Sequence, residues 1–302
     1  MSLLVVGSVA FDALETPFGR SDRELGGAAT YFSVAASYLA PVNLVGVVGH
    51  DFTKRDESVF KGRKIDTAGL ERADGKTFFW AARYSHDFRE RTTLATELNV
   101  FGEFNPKIPP KFQKSSYVFL ANIHPDLQRS VMKQVKGKPK IIALDTMNYW
   151  IERTPVELRE TLRHAQVLVI NDEETRQLAG HHNLLRAAKT IFKMGPRAII
   201  IKRGEFGAML ITPTQMFCVP GFPVEEVRDP TGAGDSFAGG FMGYLAMAGK
   251  INDATLRSAM VYGSVMGSFT VERMGLERLR NLKRAEIHKR ARHYHRLTQF
   301  KL

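Results

Sequence analysis

Short apolar runs alternate with helix-like stretches along most of this 302-residue chain, and this alternation constrains the fold more than any other feature. The runs are continuous and rich in β-branched residues, as in strands that are covered on both faces of a parallel sheet. They lie at residues 3–7, 43–49, 117–121, 141–144, 167–170 and 198–202. The helix-like stretches lie at 28–39, 126–135, 155–164, 172–179 and 184–194. The pattern predicts a three-layer α/β fold with a mostly parallel sheet, whose functional site lies beyond the carboxyl ends of the strands.

Two segments interrupt the alternation and predict a separate small sheet. Residues 13–25 and about 72–104 mix polar and aromatic residues, including the stretch TFFWAARYS. They are typical of extended strands and would form a small antiparallel β-strand lid over the carboxyl edge of the main sheet. An aromatic lid at this edge would exclude water from a reaction. The alternative is an edge extension of the sheet or an oligomer contact.

An uncharged run from Leu25 to Gly49 is long enough to suggest a transmembrane helix. Pro41 divides it, however, into a helix-like half and a strand-like half, which indicates a buried helix followed by a buried strand and no membrane partner. The N-terminal residues lack a basic segment before the apolar ones, so they indicate a strand rather than an export signal. Because Cys218 is the one cysteine, no internal disulfide can form, and a reducing cytoplasm is the expected setting.

Basic residues outnumber acidic ones, 43 to 31, and the formal net charge of +12 favours anionic partners, from nucleotides to nucleic acid. Residues 277–302 carry nine Lys or Arg and two acidic residues. This composition predicts a solvated amphipathic terminal helix, and the alternative is a tail that binds a polyanion. Since no aromatic stacking pattern or nucleic-acid-binding motif accompanies it, a nucleic-acid partner is not expected.

The most informative motif is DPTGAGDSFAGGF at residues 229–241. Its small residues at 232–234 predict a tight turn before a helix that begins near Asp235. They leave backbone N–H groups free beside the positive end of the helix dipole, an arrangement that suits a phosphoryl group. Asp235 would accept a proton from a substrate hydroxyl as that hydroxyl attacks phosphorus. A simple helix-capping aspartate is the alternative, which Asp229 and the glycines argue against.

On these residues the sequence resembles the ribokinase-like, or PfkB, family of carbohydrate kinases, which includes nucleoside kinases. The family's C-terminal signature, D-[TP]-T-G-A-G-D-x-F, is matched by Asp229, Thr231, Gly232, Ala233, Gly234, Asp235 and Phe237. Its N-terminal signature is matched by Gly26 and Gly27, which open a predicted helix, and by GVVGHD at 46–51. The resemblance implies one ribokinase-like domain over residues 1–302, a three-layer α/β/α sandwich with a mostly parallel central sheet and a β-strand lid.

The resemblance also implies the residues that contact the phosphoryl acceptor, the molecule that receives the phosphoryl group. These are Asp12, Gly26, Gly27 and Thr30. A carboxylate at position 12 can accept hydrogen bonds from two hydroxyls, which suits a cis-diol. The glycine pair would let the backbone approach the bound sugar closely. In the same comparison the backbone of Gly232, Ala233 and Gly234 holds the transferring group, and Asp235 is the catalytic base.

A site for ATP and Mg²⁺ is implied in the same way. Asn171 and Glu174 match the family's N-x-x-E motif, in which Glu174 acts on Mg²⁺ through water, as suits a hard cation. Helix capping is an alternative or additional role of Asn171. Further nucleotide-binding positions are Lys202, Gly204, Gly207 and Gly263. A monovalent cation such as potassium would be bound by Asp229 and Thr231 and by the carbonyls of Thr270, Arg273 and Gly275.

Two nucleotide-binding motifs are absent from the sequence, and their absence narrows the class of enzyme. The chain has no G-x-x-x-x-G-K-[ST] motif, which excludes a P-loop kinase, and no G-x-G-x-x-G after the first strand, which weakens a dinucleotide-dependent oxidoreductase. We therefore expect an ATP- and Mg²⁺-dependent kinase that phosphorylates a primary hydroxyl of a nucleoside or sugar, and by resemblance a homodimer formed through the lid.

The lid aromatics bear on the choice of acceptor. Phe78, Phe79, Trp80 and Tyr84 favour a nucleoside, because they can stack on a base, unless they form the lid's own core. A free-sugar kinase of ribose or fructose type is the close alternative. A non-catalytic nucleic-acid-binding or regulatory protein that keeps the fold is a less favoured one.

Overall fold

The strands of the computed structural model, which describes residues 2–299, form two sheets. The strands are β1 (Leu3–Val6), β2 (Ala10–Thr16), β3 (Gly19–Gly26), β4 (Val42–Val48), β5 (Ile65–Arg72), β6 (Phe78–Tyr84), β7 (Arg91–Glu97), β8 (Tyr117–Leu120), β9 (Ile141–Asp145), β10 (Val167–Asn171), β11 (Ala198–Lys202), β12 (Ala208–Ile211) and β13 (Met216–Val219). The helices are α1 (Ala28–Ser37), α2 (Lys54–Glu57), α3 (Pro125–Gln134), α4 (Asn148–Arg153), α5 (Pro155–Leu162), α6 (Asp172–Ala179), α7 (Leu184–Phe192), α8 (Ala233–Ala248), α9 (Asp253–Thr270), α10 (Glu277–Arg280) and α11 (Arg284–Thr298). Short 3₁₀ helices span Asn99–Glu103 and Gly204–Phe206.

The main sheet has nine strands in the order β13-β12-β11-β10-β9-β8-β1-β4-β5. The seven from β11 to β5 are parallel, and β12 and β13 form an antiparallel edge. Each of the six apolar runs is a parallel strand, as predicted. The sequence pattern missed β5 and β13 because they lie at the edges of the sheet, where polar or exposed residues break the apolar run. It also missed β12, an apolar but short strand of four residues.

Two hydrophobic clusters cover the two faces of the main sheet. In β1, Leu3 and Val5 belong to one cluster and Leu4 and Val6 to the other, because successive strand residues point to opposite faces. The first cluster includes buried residues of α1, α8, α9 and α11, and the second includes residues of α3, α5, α6 and α7. This is the predicted α/β/α sandwich.

The small sheet has four strands in the order β3-β2-β6-β7 and contains most of the predicted lid segments. The expectation of an antiparallel lid is wrong at its centre, where β2 and β6 are parallel. The reason is that β2 follows β1 and β6 follows β5, and these strands run in the same direction in the main sheet. The small sheet also starts at Ala10 rather than at residue 13, and Arg72 belongs to the main sheet.

The basic C-terminal stretch folds onto the body of the protein as α10 and α11, and its residues 300–302 lie outside the described part. Ile287 and Tyr294 of α11 are buried in the first hydrophobic cluster. The guanidinium of Arg290 lies 3.5 Å from the ring centroid of Phe269 and forms an ion pair with Glu272. Helix α11 is therefore amphipathic, with a structural face as well as a charged one.

Within residues 2–299, no helix combines the length and the apolar character that crossing a bilayer requires. The uncharged run at 25–49 instead forms α1 and β4, both almost fully buried, as predicted.

Candidate active site

The turn before α8 lies at the centre of the site. Its helix begins at Ala233, two residues earlier than predicted, so Asp235 lies in the first helical turn and not at the cap. The cap residue is Gly232, with a left-handed φ of 73°. A Cβ atom there would also come within 2.4 Å of the ring of Tyr31, so both conformation and space require glycine.

Asp229 holds this turn against the loop that follows α9. Its side chain is fully buried, with one carboxylate oxygen accepting from the N–H of Thr231 at 2.9 Å and the other from the N–H of Gly275 at 2.8 Å. The N–H of Asp229 in turn lies 3.4 Å from the carbonyl oxygen of Val271. Burial raises the pKa of Asp229, and these hydrogen bonds oppose the rise. The two chain segments predicted to share a cation are thus adjacent, and the interaction between them runs through Asp229.

Asp12 lies where β2 meets the glycine pair. A Cβ atom on Gly26 would be 1.9 Å from its carboxylate, so only glycine leaves room for the aspartate. The backbone of Gly27, the cap residue of α1, lies close enough to Asp12 to lower the pKa of its carboxyl group. Burial, followed by the charges of Asp229, Asp235 and Glu24, raises the pKa of Asp12 from its ordinary 3.8 to about 8. Three residues predicted for the acceptor site therefore meet in one place. Thr30, also predicted, is fully buried in α1, and its hydroxyl has no partner among the described residues.

Lys202 is a cation close to several carboxylates of the site. At the end of β11, its ammonium would lie 2.9 Å from a Cβ atom on Gly234, which puts it against the first turn of α8. Burial raises the pKa of Asp235, and the charge of Lys202 opposes this rise. Asp145 is also buried, and its pKa is raised by burial and then by the charge of Asp235. One lysine therefore faces several carboxyl groups, an arrangement that a multivalent anion with its cations would complete.

Asn171 and Glu174 begin α6 with a reciprocal capping box. The side-chain oxygen of Asn171 accepts from the N–H of Glu174 at 2.7 Å, and the carboxylate of Glu174 accepts from the N–H of Asn171 at 3.1 Å. Helix capping is thus an actual role of Asn171. The second carboxylate oxygen of Glu174 makes no hydrogen bond among the described residues, and burial raises the pKa of this side chain. Within residues 2–299, no group of three or more acidic, histidine or cysteine side chains lies close enough together to hold a metal ion without other ligands.

The glycines predicted for the nucleotide side have identifiable packing roles. Gly204 and Gly207 both have left-handed φ angles, and a Cβ atom on Gly207 would be 2.0 Å from the carbonyl oxygen of Val219. Gly263 brings α9 against α8, because a Cβ atom there would be 2.9 Å from the carbonyl oxygen of Phe237. Of these three glycines, Gly204 and Gly207 follow closely after Lys202 in the chain.

The predicted carbonyl donors of the cation site occupy the end of α9 and the loop after it. Thr270 is buried and its hydroxyl donates to the carbonyl of Met266. Arg273 lies in the loop and bonds the carbonyl of its neighbour Glu272, and Gly275 has a left-handed φ of 52°. Thr231, on the other side, has its hydroxyl 2.9 Å from the hydroxyl of Tyr84.

A row of side chains crosses the small sheet beside Asp12, and sequence reasoning recognised only part of it. Glu24, Asp12, Trp80 and Thr96 are successive partners in the register of β3, β2, β6 and β7. Directly paired residues point to the same face of a sheet. The carboxyl groups of Glu24 and Asp12 and the indole ring of Trp80 therefore lie side by side. The Arg91 guanidinium lies 5.4 Å from the Trp80 ring centroid. Of the other lid aromatics, Phe78 stacks on Phe101, which packs against the second hydrophobic cluster of the main sheet.

Sequence reasoning did not assign Tyr31, Glu24 or Asp145 to the site. It named Tyr84 as a lid aromatic but missed its contact with the turn before α8. Asp145 had a usable signal, because it directly follows an apolar run and so marks the carboxyl end of a strand. The signal for Tyr31 was a large polar ring in a helix made otherwise of small and apolar residues. Glu24 carried no signal, since its place depends on strand register.

The chain is similar in sequence and in fold to known kinases. A cytidine kinase of Thermococcus kodakarensis is 30% identical over 250 residues, which cover 80% of this chain and 87% of that kinase. An ATP-dependent ribose-1-phosphate kinase of Halopiger xanaduensis is 26% identical over 266 residues, or 85% of this chain and 83% of that kinase. The crystal structure of Methanocaldococcus jannaschii nucleoside kinase, a ribokinase-family member, has a TM-score of 0.77 at 21% identity, covering 97% of this chain and 98% of that one.

The structural similarity confirms the predicted ribokinase-like fold. The sequence model of the pfkB family of carbohydrate kinases matches residues 5–281. This range includes both signatures, the small sheet and the turn before α8. The chain therefore belongs to the pfkB family of carbohydrate kinases and is a phosphotransferase whose acceptor group is a hydroxyl.

Proposed function

We propose that this kinase phosphorylates a primary hydroxyl of a nucleoside. The observation that supports it is the pairing of Asp12 with Trp80 on one face of the small sheet. A carboxyl group that binds ribose hydroxyls beside an indole that stacks on a base matches the two halves of a nucleoside. The similarity to a cytidine kinase and to a nucleoside kinase is consistent with this acceptor.

In the proposed reaction, Asp235 accepts the proton of the attacking hydroxyl. Burial raises its pKa, which improves a carboxylate as a base, and Lys202 keeps the rise in check so that the charged form remains available. The N–H groups of Gly232 and Gly234, which have no acceptor within residues 2–299, stabilise the charge of the transferring group, whereas the N–H of Ala233 already donates to the carbonyl of Pro230. Asp12 orients the hydroxyls of the sugar. These are the positioning and electrostatic contributions that phosphoryl transfer needs.

ATP and Mg²⁺ are the proposed co-substrate and cofactor. Asn171, Glu174 and Lys202 would border the phosphates, with Glu174 acting on Mg²⁺ through water. Bound Mg²⁺ would supply neutralisation of phosphate charge. The free carboxylate oxygen of Glu174 and the unpartnered, buried Oδ1 of Asp145 suit this role. The small sheet is the proposed lid over this site.

A monovalent cation site between Asp229, Thr231 and the carbonyls of the 270–275 loop is a further part of the proposal. Asp229 is fully buried and forms no ion pair within residues 2–299, so a bound cation would balance its charge. Potassium chloride should then raise turnover over choline chloride at equal ionic strength. Equal rates in the two salts would remove this site from the proposal.

The oligomeric state and the compartment of the protein are further parts of the proposal. A homodimer through the lid is supported by Phe18, Leu94 and Leu98, large apolar side chains that are exposed on or beside the small sheet. Light scattering should then give twice the mass of one chain. Substitution of Leu94 by a charged residue should reduce the measured mass to that of one chain. A reducing cytoplasm is supported by Cys218, which is exposed and free.

The test of the acceptor is ADP release with ATP and Mg²⁺ against adenosine, cytidine, guanosine, inosine, ribose and fructose. Turnover of one nucleoside well above both free sugars is the expected result. Preference for ribose or fructose would overturn the nucleoside assignment and make Trp80 a packing residue. The full chain should not bind nucleic acid through its basic C-terminal stretch, since Arg278 and Arg290 already pair with Glu272 inside the protein. Salt-dependent retention on DNA or RNA would contradict this.

A further inference from the structure

A cavity of about 410 Å³ lies between strand β3 of the small sheet and the segment that follows α9. Its volume is in the range of small-molecule binding sites in proteins. None of the residues proposed to bind the acceptor, ATP or a cation lines it, so this cavity is distinct from the site of phosphoryl transfer. Its apolar lining consists of Leu25 from β3 and of Met274 and Leu276 from the opposite side.

The polar lining of the cavity includes carboxylate oxygens that can accept further hydrogen bonds. Glu24 accepts from the hydroxyl of Ser21 through Oε1 at 2.7 Å, and its Oε2 has no donor within residues 2–299. Glu277, on the opposite side, is exposed and forms no ion pair in the same range. Free carboxylate oxygens suit a ligand with hydroxyl groups, because each hydroxyl can donate to one of them.

Positive charge collects on the side of the cavity that Arg280 lines. The guanidinium of Arg63 donates to the carbonyl oxygen of Arg280 at 2.7 Å and to the hydroxyl of Tyr38 at 2.9 Å. Arg284 donates to the carbonyl oxygen of Tyr38 at 2.7 Å. Within residues 2–299 none of these three arginines forms an ion pair, so no carboxylate compensates their charges. Such a group of arginines suits an anion with several oxygen atoms, such as a phosphate.

Both sides of the cavity belong to segments that carry residues of the active site. On β3, Glu24 is the register partner of Asp12 and directly precedes Leu25 and the glycine pair. On the other side, the lining residues flank Gly275, whose N–H donates to Asp229 at 2.8 Å. The Glu24 side chain packs on Gly275, where a Cβ atom would lie 3.0 Å from its carboxylate. A molecule in the cavity would therefore contact both segments at once.

We propose that this cavity is a second, regulatory binding site for a phosphomonoester that carries hydroxyl groups. The phosphate would bind Arg280 and Arg63, the hydroxyl groups would donate to Glu24, and the apolar lining would pack against the rest of the molecule. The product of a sugar or nucleoside kinase belongs to this chemical class, so the first candidate is the product of the enzyme itself. The proposal goes beyond the proposed function and holds for either acceptor.

The expected effect of the bound phosphomonoester is slower turnover. A molecule that contacts both β3 and the segment after α9 would hold the small sheet in one position relative to the main body. Product release requires the lid to open, and lid opening limits turnover in many enzymes. We therefore expect the ligand to lower kcat even when the acceptor and ATP are saturating.

Calorimetry tests the site while the active site is filled. The full chain would be saturated with its preferred acceptor and a non-hydrolysable ATP analogue. It would then be titrated with ribose 5-phosphate, adenosine 5′-monophosphate, cytidine 5′-monophosphate and inorganic phosphate. One equivalent of at least one phosphomonoester should bind, and more tightly than inorganic phosphate, which lacks the hydroxyl-bearing part.

Substitution of Arg280 tests whether the cavity holds the ligand. Arg280→Glu should weaken the binding about tenfold or more, because it removes a charge-assisted hydrogen bond and adds a charge that repels phosphate. Arg280→Lys should keep part of the affinity, since it keeps the charge. Arg163→Glu is the matched control, at an exposed arginine that ends α5 on the other face of the main sheet and has no ion pair within residues 2–299. It should bind as wild type does.

Steady-state kinetics supplies the second readout. The phosphomonoester should lower kcat of wild type and of Arg163→Glu but have much less effect on Arg280→Glu, whose kcat without the ligand should equal that of wild type. Melting temperatures close to that of wild type are expected for all three variants, because the replaced side chains are exposed.

Three results would overturn the proposal. The first is no binding of any of these phosphomonoesters to the enzyme with a filled active site. The second is equal affinity in wild type and Arg280→Glu. The third is inhibition that saturating acceptor fully relieves, which would place the ligand in the active site. None of these results depends on which acceptor the enzyme prefers, so failure of the nucleoside assignment would be recognised separately.

Discussion

The hydroxyl of Tyr84, on the small sheet, lies 2.9 Å from the hydroxyl of Thr231, in the turn that leads into α8. One hydrogen bond thus joins the proposed lid to the segment that would hold the transferring phosphoryl group. Thr231 is bound to Asp229 through its backbone, so this contact links the lid to the most deeply buried carboxyl group of the site.

Loss of this contact should weaken closure over the acceptor. Tyr84→Phe removes one hydroxyl and keeps the ring, and we expect the KM for the acceptor to rise about three- to tenfold with little change in the KM for ATP. Steady-state kinetics with each substrate varied in turn checks this. Tyr149→Phe, at an exposed position, is the control. An unchanged acceptor KM in Tyr84→Phe would mean that the contact does not contribute to closure.

Trp80 should contribute to the phosphorylation of nucleosides but not to that of free sugars. Trp80→Ala should lower kcat/KM for the nucleoside about tenfold or more, the range expected for loss of a base-stacking ring, and leave ribose turnover as it was. Trp80→Phe should restore part of the loss, since it keeps an aromatic face. Parallel losses for nucleoside and ribose would instead show that Trp80 shapes the lid.

Asp235→Asn should separate activity from stability. Turnover should fall about a hundredfold or more, because the amide cannot accept the proton of the attacking hydroxyl. Since burial raises the pKa of Asp235 in the folded protein, a neutral isostere should keep or raise the melting temperature. Measurement of ADP release tests the predicted fall in turnover, and thermal melting tests the predicted stability. Near-wild-type turnover would exclude Asp235 as the base.

Lys202 should set the pH at which this base works. The charge of Lys202 lowers the pKa of Asp235 against the larger effect of burial. In Lys202→Met the pKa of Asp235 should therefore rise, and the acidic limb of the pH–kcat profile should move to higher pH, with a lower plateau. Lys202→Arg keeps the charge and should keep the limb near its original pH. Coincident profiles of wild type and Lys202→Met would contradict this coupling.

Asp12 should make the free enzyme less stable as pH rises. Between about pH 4 and 8 the folded protein keeps a proton on Asp12 that the unfolded chain releases, so the free energy of unfolding contributed by this group declines across that interval. Asp12→Asn should therefore gain melting temperature relative to wild type as pH increases from 4 to 8, while losing acceptor binding.

Glu15→Gln, three residues along the same strand, is the control for that slope. The pKa of Glu15 is lowered by its hydrogen bond to Arg83, so its contribution has the opposite sign and disappears as pH falls. This variant should show no gain with rising pH. Parallel melting curves of wild type and Asp12→Asn at every pH would contradict the raised pKa of Asp12.

Local sequence patterns predicted the parts of the fold and the site that depend on neighbours in the chain. Continuous apolar runs correctly predicted β1 and β11, because strands buried on both faces need apolar residues at every position. The glycines at 232 and 234 predicted the turn before α8, because that turn needs a left-handed residue and close packing.

What could not be predicted depends on register and on approach of distant segments. Glu24 joins Asp12 only through the pairing of β3 with β2, and a shift by one residue would turn its side chain to the other face. The parallel direction of β2 and β6 follows from where their parent strands lie in the main sheet. The polar ring of Tyr31 stood out in the sequence of α1, but its contact with Gly232 depends on the packing of α1 against α8, which local patterns do not encode.

The parallel pairing of β2 with β6 also constrains the order in which the chain can fold. The two strands are separated by 61 residues that include β4 and β5, and closing so long a loop costs chain entropy before any pairing is gained. Because β6 begins shortly after β5 ends, the edge of the main sheet has to form before β6 can reach β2. Asp12 therefore acquires its neighbour Trp80 late, and during refolding the chain recovers its sheet before it recovers its affinity for the molecule that it phosphorylates.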